Sequence, residues 1–236
     1  MEAPNIICSI AAPPKRGKTY LAMTFPEPIA FFSLDMGAGP IKAKFPEKDI
    51  DVFEFPMPLV DSLDKKTTDT FLPVWKELRD SIYNAIAWKK KEYKTIVIDP
   101  NSILWEIIRY AYNEEEERAL GSGGKARNYG EPNARMSGIF QQAKLAGVNL
   151  VVTNYLKDKW VDDVDTGKQI LDGWRRTEGA VDIVLEMRKE TKATSKGEKK
   201  TIFYTTIKDN RYEPDLDGLE LEMATYDDLL AVLLGV

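Results

Sequence analysis

The sequence predicts an α/β fold, in which helices flank a mostly parallel central sheet that carries an antiparallel C-terminal extension. Two observations predict it. Over the first two thirds of the chain, short apolar runs alternate with segments whose apolar residues have helical spacing. The last third is rich in strands joined by charged turns. With 236 residues and 43% hydrophobic residues, the chain is expected to form one domain over 1–236 with a proper core.

Each element is predicted from its local pattern. A near-continuous apolar run, as at 29–34 or 95–99, is typical of a strand buried on both faces. Apolar residues three or four positions apart, as at Phe71, Val74 and Leu78, predict a helix. In chain order, these patterns predict a strand at 5–11, a helix at 18–24, strands at 29–34 and 51–55, a helix at 69–91, a strand at 95–99, helices at 102–119 and 132–146, strands at 148–154, 182–187 and 201–207, and a helix at 226–234.

The segments between these elements are predicted from composition. Glycine, proline and clustered charges disfavour both core strands and regular helices, so these stretches are expected at the surface. They are a loop at 35–40, a solvated helix end at Glu114–Glu117, a flexible glycine-rich loop at 121–130, a hairpin or mobile loop at 156–173, and an exposed turn at 188–200.

The loop after the first strand carries the most specific motif of the chain. Ala12-Pro13-Pro14-Lys15-Arg16-Gly17-Lys18-Thr19 matches the P-loop pattern, with alanine in place of its first glycine. Such a loop binds nucleotide phosphates through its backbone N–H groups and the start of the next helix. Lys18 is expected to contact the outer phosphates, and the Thr19 hydroxyl is expected to bind Mg²⁺. The alternative is a surface turn. The predicted nucleotide contacts are Pro14, Lys15, Arg16, Gly17, Lys18, Thr19 and Tyr20.

Three further polar residues follow predicted strands. Asp35, Asp99 and Asn154 each stand at the end of an apolar run. Because ligands of such sheets bind at the carboxyl ends of the strands, these residues and Thr19 could share one site. Asp99 ends its strand as a Walker B acid does, which predicts Thr19 and Asp99 as the residues that hold Mg²⁺ and its water shell. The alternative for Asp99 is a helix N-cap.

Composition excludes several classes of function. The chain has no histidine, which removes histidine-based acid–base catalysis and histidine metal sites. A net charge of −5 argues against a generally basic nucleic-acid coat, although a local basic groove stays open. The single cysteine, Cys8, allows no internal disulfide and fits a reducing compartment. No apolar run approaches the length of a membrane span, so we expect a cytoplasmic protein without membrane contact.

With these residues in place, the order of features resembles that of RecA-like ATPases. It most closely resembles their short phage-encoded members, which are linked to single-strand annealing and recombination. The resemblance covers about residues 4–210. It implies a RecA-like P-loop core, ATP and Mg²⁺ as cofactors, and a homo-oligomer acting on single-stranded DNA in recombination, annealing or repair. It also implies a single-stranded-DNA-binding protein as a partner and, for a phage protein, the host cytoplasm as location.

The resemblance assigns further residues by position. It implies that Asn154 senses the γ-phosphate, and that the basic residues Lys208 and Arg211 reach the ATP of the neighbouring subunit. The usual catalytic glutamate falls near Gly37, so either the nearest acid, Asp35, orients the water or hydrolysis is slow. The segments 121–130 and 156–173 lie where the family has its two DNA-binding loops. Their implied DNA contacts are Lys125, Arg127, Lys157, Lys159 and Trp160.

Two other classes of function stay open. A P-loop small-molecule kinase would use an arginine-bearing lid, for which Arg175-Arg176 is a candidate. A nucleotide-dependent assembly or packaging factor would bind nucleotide with little turnover. Stimulation of hydrolysis by single-stranded DNA favours the interpretation as a RecA-like ATPase, whereas stimulation by a small phosphate acceptor favours the kinase.

Overall fold

The computed structural model of the chain describes residues 4–59, 70–89, 91–120, 129–193 and 199–235. Its strands are β1 (Ile7–Ala11), β2 (Ile29–Ser33), β3 (Ile50–Glu54), β4 (Thr95–Asp99), β5 (Asn149–Asn154), β6 (Leu156–Val161), β7 (Val164–Leu171), β8 (Ile183–Ala193), β9 (Lys199–Asn210) and β10 (Glu220–Glu222). Its helices are α1 (Lys18–Met23), α2 (Ala38–Lys42), α3 (Phe71–Ile86), α4 (Asn101–Leu120), α5 (Gly130–Ala146), α6 (Thr177–Ala180) and α7 (Tyr226–Leu234), with a 3₁₀ turn at Pro214–Leu216.

The strands of the described residues form an eight-stranded sheet in the order β10-β9-β8-β1-β5-β4-β2-β3. Pairing is parallel from β8 to β3, and β9 and β10 add to one edge in antiparallel fashion. The predicted α/β class, with its parallel centre and antiparallel extension, is therefore confirmed. Because β5 lies between β1 and β4, the residues that end these three strands are neighbours at the carboxyl edge of the sheet.

The sheet separates two apolar layers. Successive residues of a buried strand point to opposite faces, and β4 shows this directly. Ile96 and Ile98 lie in the layer that contains the buried faces of α3, α4 and α5. Val97 lies in the opposite layer with the apolar residues of α1 and α7. Both faces of the central strands are thus covered, which explains why their sequences are continuously apolar. No helix in the described part of the chain is long and apolar enough to cross a membrane.

Two predictions of irregular structure were wrong or incomplete. The loop predicted at 35–40 contains the start of α2, and residues 188–193 and 199–200 of the predicted turn continue β8 and β9. Arg188 shows why this charged stretch pairs as strands. Its guanidinium bonds Glu220 at 2.7 Å and lies 4.2 Å from the ring centre of Tyr204. Such cross-strand pairs stabilise a ribbon that lacks apolar alternation. Of the two alternatives for 156–173, the structure shows the hairpin, β6–β7.

The acidic run at the end of α4 was expected to be solvated, but two of its residues are partly buried and bonded to other parts of the protein. The Glu114 carboxylate accepts hydrogen bonds from the backbone N–H groups of Thr70, Phe71 and Leu72 at 2.8–3.1 Å. These groups open α3 and have no partner within the helix. Glu115 forms an ion pair with Arg135 of α5. The run therefore ties α4 to both neighbouring helices, a role that depends on contacts distant in sequence.

We predict that Glu114→Ala lowers the free energy of unfolding by about 1–3 kcal/mol, because three backbone donors lose a charged acceptor. Chemical denaturation measures the change. Glu77→Ala removes an exposed carboxylate from α3 itself and serves as the control, with an expected change within about 0.5 kcal/mol. Equal stability of the Glu114 variant and the parent would contradict the capping role.

Candidate functional site

At the carboxyl edge of the sheet, the Asp99 carboxylate accepts hydrogen bonds from two threonine hydroxyls. The Thr19 hydroxyl, at the start of α1, donates to Asp99 Oδ2 at 2.6 Å. The Thr153 hydroxyl, near the end of β5, donates to Asp99 Oδ1. Asp99 is only 4% exposed, and burial raises the pKa of its carboxyl, while the two threonine hydrogen bonds act in the opposite direction. The side chains predicted to hold Mg²⁺, Thr19 and Asp99, are thus in contact.

The loop between β1 and α1 has a backbone that only certain residues tolerate. Lys15 and Gly17 adopt positive φ angles of 61° and 97°. A Cβ atom on Gly17 would lie 3.2 Å from both Met187 Cε and the Phe203 ring. Glycine at this position therefore serves both the turn and the close approach of β8 and β9. Pro14 and Lys15 are exposed along this loop, Arg16 is half-buried, and Tyr20 is exposed on α1.

Lys18 lies folded against its own loop. Its Nζ donates to the carbonyl oxygens of Ala12 and Pro13 at 2.9 and 3.1 Å, and lies 4.8 Å from the ring centre of Tyr155. Burial lowers the pKa of the ammonium group, and the negative charges of Asp99 and Asp35 oppose that shift. A phosphate group at the loop would offer this ammonium charged oxygens in place of neutral carbonyls.

Asp35 and Tyr155 form a second polar pair at the same edge. The Tyr155 hydroxyl donates to Asp35 Oδ2 at 3.1 Å, and Asp35 Oδ1 accepts the backbone N–H of Gly37 at 2.9 Å. Burial, together with the negative charge of Asp35, raises the pKa of Tyr155 to about 12, so its hydroxyl keeps its proton near neutral pH. Tyr155 was not predicted as a site residue. Its position directly after the polar strand end at Asn154 was the available signal.

Asn154 lies beneath this surface. It is fully buried, its Nδ2 donates to Ser9 Oγ at 2.9 Å, and its Oδ1 accepts from Asn101 Nδ2 at 3.1 Å. Both ends of the amide are therefore engaged within the protein. Contact with a γ-phosphate stays a prediction, and it requires these hydrogen bonds to open.

Lys208 and Arg211 lie at different levels of the sheet, and only Arg211 lies at the edge opposite the phosphate loop. The strand predicted to end at 207 continues to Asn210, so Lys208 lies within β9 and not after it. Asn210 pairs with the first residue of β8, which places Arg211 at the amino edge of the sheet. Lys208 forms an ion pair with Glu186 at 2.7 Å, and Arg211 donates to the Gly179 carbonyl at 2.9 Å. Their action on a neighbouring subunit stays a prediction.

The predicted DNA contacts are only partly described. Lys125 and Arg127 lie outside the described residues. Lys159 and Trp160 are exposed on the β6–β7 hairpin, with Trp160 62% accessible, whereas Lys157 pairs with Asp172 at 2.9 Å. The hairpin from 156 to 171 carries three lysines and four aspartates, a net charge of −1. The hairpin as a whole is therefore not a positively charged surface.

An apolar cavity of about 380 Å³ borders the phosphate loop. It lies beside Gly17, and aromatic and thioether side chains form much of its wall. These are the properties of a pocket for a flat apolar group joined to a phosphate. Its lining includes Tyr20, Ile41, Met187, Phe203 and Met223.

The donor set at the site fits one kind of metal ion. The described residues contain no group of three or more acidic, cysteine or histidine side chains that could hold a metal by themselves. Mg²⁺ typically takes one or two protein oxygens and completes its shell with phosphate oxygens and water. The Thr19 hydroxyl and the Asp99 carboxylate fit Mg²⁺ that arrives with a nucleotide.

Comparisons with known proteins agree with this geometry. A family model described as an AAA domain matches residues 5–212. The fold is similar to that of the RadB recombinase, with a TM-score of 0.51 and 14% identity over 93% of this chain and 87% of the other. It is also similar to a KaiC-like protein from the hyperthermophilic archaeon Pyrococcus horikoshii, with a TM-score of 0.53 and 13% identity over 94% and 87%. No curated protein sequence matches the chain. At such identities the two structures establish the fold alone, which is RecA-like.

We predict that Lys18→Ala lowers ATP affinity by about 10- to 100-fold, because the outer phosphates lose a charged donor. Calorimetric titration with ATP, combined with thermal melting, measures the effect in the folded protein. Lys76→Ala is the matched control, since it removes an exposed ammonium from α3, outside the phosphate loop. A folded Lys18 variant that binds ATP as tightly as the parent would remove the phosphate-binding role of this loop.

Proposed function

Since the chain belongs to the AAA domain family and has a RecA-like P-loop fold, we propose that it is a Mg²⁺-dependent ATPase that acts on single-stranded DNA as a homo-oligomer. The observation that carries the proposal is the hydrogen bond between Thr19 and the buried Asp99, beside the Lys18 ammonium. A hydroxyl, a carboxylate and a lysine at one loop are the groups that P-loop ATPases use on a Mg²⁺-bound triphosphate.

Nucleotide binding follows from the two surfaces beside Gly17. The backbone N–H groups of 15–18 surround the phosphates, and the apolar cavity takes the base. Tyr20 lines this cavity, and its ring lies 4.9 Å from that of Phe45. On binding, the Lys18 ammonium leaves the carbonyls of Ala12 and Pro13 for the phosphate oxygens.

Hydrolysis is proposed to rest on positioning and charge. Thr19 and Asp99 would hold Mg²⁺, which would supply positive charge against the outer phosphate oxygens. Asp35 accepts a hydrogen bond from the attacking water, through the carboxylate oxygen that now accepts from Tyr155. The water oxygen forms the new bond to the γ-phosphorus as the bond to the leaving diphosphate oxygen breaks, and the water proton passes to Asp35 or to solvent. Lys18 stabilises the charge that develops on the phosphate oxygens.

We predict that Asp99→Asn lowers Mg²⁺-dependent ATP turnover by about 100-fold but leaves metal-free nucleotide binding almost intact. The amide keeps the shape of the side chain and removes the charge that the metal shell requires. Turnover is measured by phosphate release, and binding is measured with EDTA present. Asp163→Asn removes an exposed carboxylate from the β6–β7 hairpin and is the control. Equal losses with and without Mg²⁺ would mean that Asp99 is structural.

Tyr155 supports coupling between nucleotide and DNA, because it contacts both the phosphate-loop region and the base of the β6–β7 hairpin. Its side chain touches Asp35 and Lys18, as described above. Its backbone N–H donates to Ser102 Oγ at 3.2 Å, and its carbonyl accepts from Asp172 N–H at 2.8 Å, where the β6–β7 hairpin ends. A phosphate that displaces Tyr155 would therefore also move the base of the hairpin.

We predict that single-stranded DNA raises ATP turnover in the parent protein and that Tyr155→Phe reduces this stimulation. The variant keeps the ring over Lys18 and loses the hydrogen bond to Asp35. Turnover is measured with and without an oligo-dT strand, with Tyr83→Phe as the matched control on α3. If DNA leaves the turnover of the parent unchanged, the proposed action on single strands fails, whereas stimulation by a small phosphate acceptor would support the kinase alternative.

The remaining parts of the proposal concern assembly and the alternatives. Lys208, within β9, and Arg211, at the amino edge of the sheet, are proposed to approach the ATP of a neighbouring subunit. One of the two similar folds belongs to a recombinase, which supports DNA as the substrate class.

Arg175 and Arg176, the candidate kinase lid, line a cavity that shares no lining residue with the one beside Gly17. This separation favours the ATPase over the kinase.

A further inference from the structure

A second cavity, of about 370 Å³, lies at the base of the β6–β7 hairpin. We call it the arginine cavity, because the charged side chains among its lining residues are all positive. They are Arg109, Lys157, Arg175 and Arg176. The aromatic residues Trp105, Tyr129 and Trp174 complete much of its wall.

The chain holds this cavity in a defined shape. Gly173 has a φ of +102°, and a Cβ atom there would lie 2.9 Å from the Ser102 backbone, so only glycine lets the segment pass this close to α4. The next residue, Trp174, is buried, donates to Asn133 Oδ1 at 2.8 Å and packs against Phe140. Arg175 therefore follows an anchored residue, and Trp174 itself is structural.

The cations of the cavity are poorly compensated. In the described part of the chain, no carboxylate forms an ion pair with Arg109, Arg175 or Arg176, although the charge of Arg109 acts on Glu106 at longer range. Among these four cations, only Lys157 has a close acidic partner within the described residues, namely Asp172. Four positive charges around one cavity repel each other, and an anionic ligand relieves that repulsion.

The aromatic side adds a second chemical requirement. The Arg109 guanidinium lies 5.7 Å from the Tyr129 ring centre and 6.0 Å from the Trp105 ring centre, and the two rings are nearly parallel at 6.4 Å. Tyr129 remains 48% exposed, so it offers a face to a flat ligand. A ligand that carries both a planar ring and a phosphate satisfies the two sides together.

We propose that the arginine cavity binds one nucleotide unit of a single-stranded nucleic acid, with the base stacked on Tyr129 and the phosphate held by Arg175 and Arg176. This inference rests on the strand binding of the proposed function and does not depend on ATP hydrolysis. It places the strand-binding site at the base of the hairpin, since the hairpin itself has a net charge of −1. The Tyr155 carbonyl accepts a hydrogen bond from the Asp172 N–H beside this cavity. A strand bound in the cavity therefore lies close to the residue whose side chain contacts Asp35 and Lys18.

The test is the affinity of the full chain for a fluorescent oligo-dT strand, measured by anisotropy at several salt concentrations without ATP. For Arg175→Ala/Arg176→Ala we expect about tenfold weaker binding and a log–log salt slope shallower by about 0.7, because the one phosphate that both arginines hold is no longer neutralised. The matched control is Lys89→Ala/Lys94→Ala, which removes two exposed cations before β4 at the amino edge of the sheet. The control should bind like the parent.

A second pair of variants tests the stacking face without changing charge. Tyr129→Ala is expected to weaken strand binding by about tenfold, whereas Tyr129→Phe keeps the ring and should retain the affinity of the parent. In all four variants the ATP affinity without DNA should match the parent, since the cavity is separate from the phosphate loop. Because the tyrosine variants leave every cation in place, they test the cavity even if the double arginine variant fails to fold.

Other outcomes separate this inference from the proposed function. Unchanged strand affinity and salt slope in the arginine and Tyr129→Ala variants, with binding by the parent, would overturn the arginine cavity and leave the proposed function standing. Absence of strand binding by the parent would overturn both. Free dTMP that competes as well as an equal concentration of nucleotides within the strand would show that the cavity takes a free nucleotide, which would overturn the assignment to a strand.

Discussion

The buried carboxylate of Asp99 is the constraint on which the rest of the site depends. A carboxylate removed from water is costly unless donors replace the solvent. Thr19 and Thr153 supply those donors, so α1, β4 and β5 must meet at one point on the carboxyl edge. The phosphate loop is fixed by the same requirement, because Thr19 stands directly after Lys18. One desolvated acid therefore organises the loop, two strands and the metal-binding position.

The carboxyl edge of the sheet also brings the phosphate loop close to the arginine cavity. β5 ends between β1 and β4, and the chain leaves it through Tyr155 directly into the hairpin. The Tyr155 side chain thus stays with Asp35 and Lys18, while its backbone bonds Ser102 and Asp172 near the arginine cavity. The contact between the two regions runs through one residue and its hydrogen bonds, and it needs no long pathway through the core.

The candidate site was predictable where one local segment carries the chemistry. The P-loop residues 12–19 are contiguous, so their pattern specifies the loop. Asp99 was predictable because a buried strand presents its last residue at the sheet edge. Arg109 and Tyr129 had no such signal, since they come from different elements and meet only through packing. Glu114 is similar, because its partners at 70–72 lie more than forty residues earlier.

The sequence by itself determined the class of fold, the order of its main elements and the phosphate loop. Apolar periodicity and glycine position act over a few residues, so they can be recognised from the sequence alone. The tertiary structure decided which charges are buried, which are paired and which remain uncompensated. It buried Asn154, placed Lys208 within a strand and brought Arg109 beside Arg175 and Arg176. These outcomes depend on strand order and helix packing, because electrostatic energies are set by distances and burial that no local pattern contains.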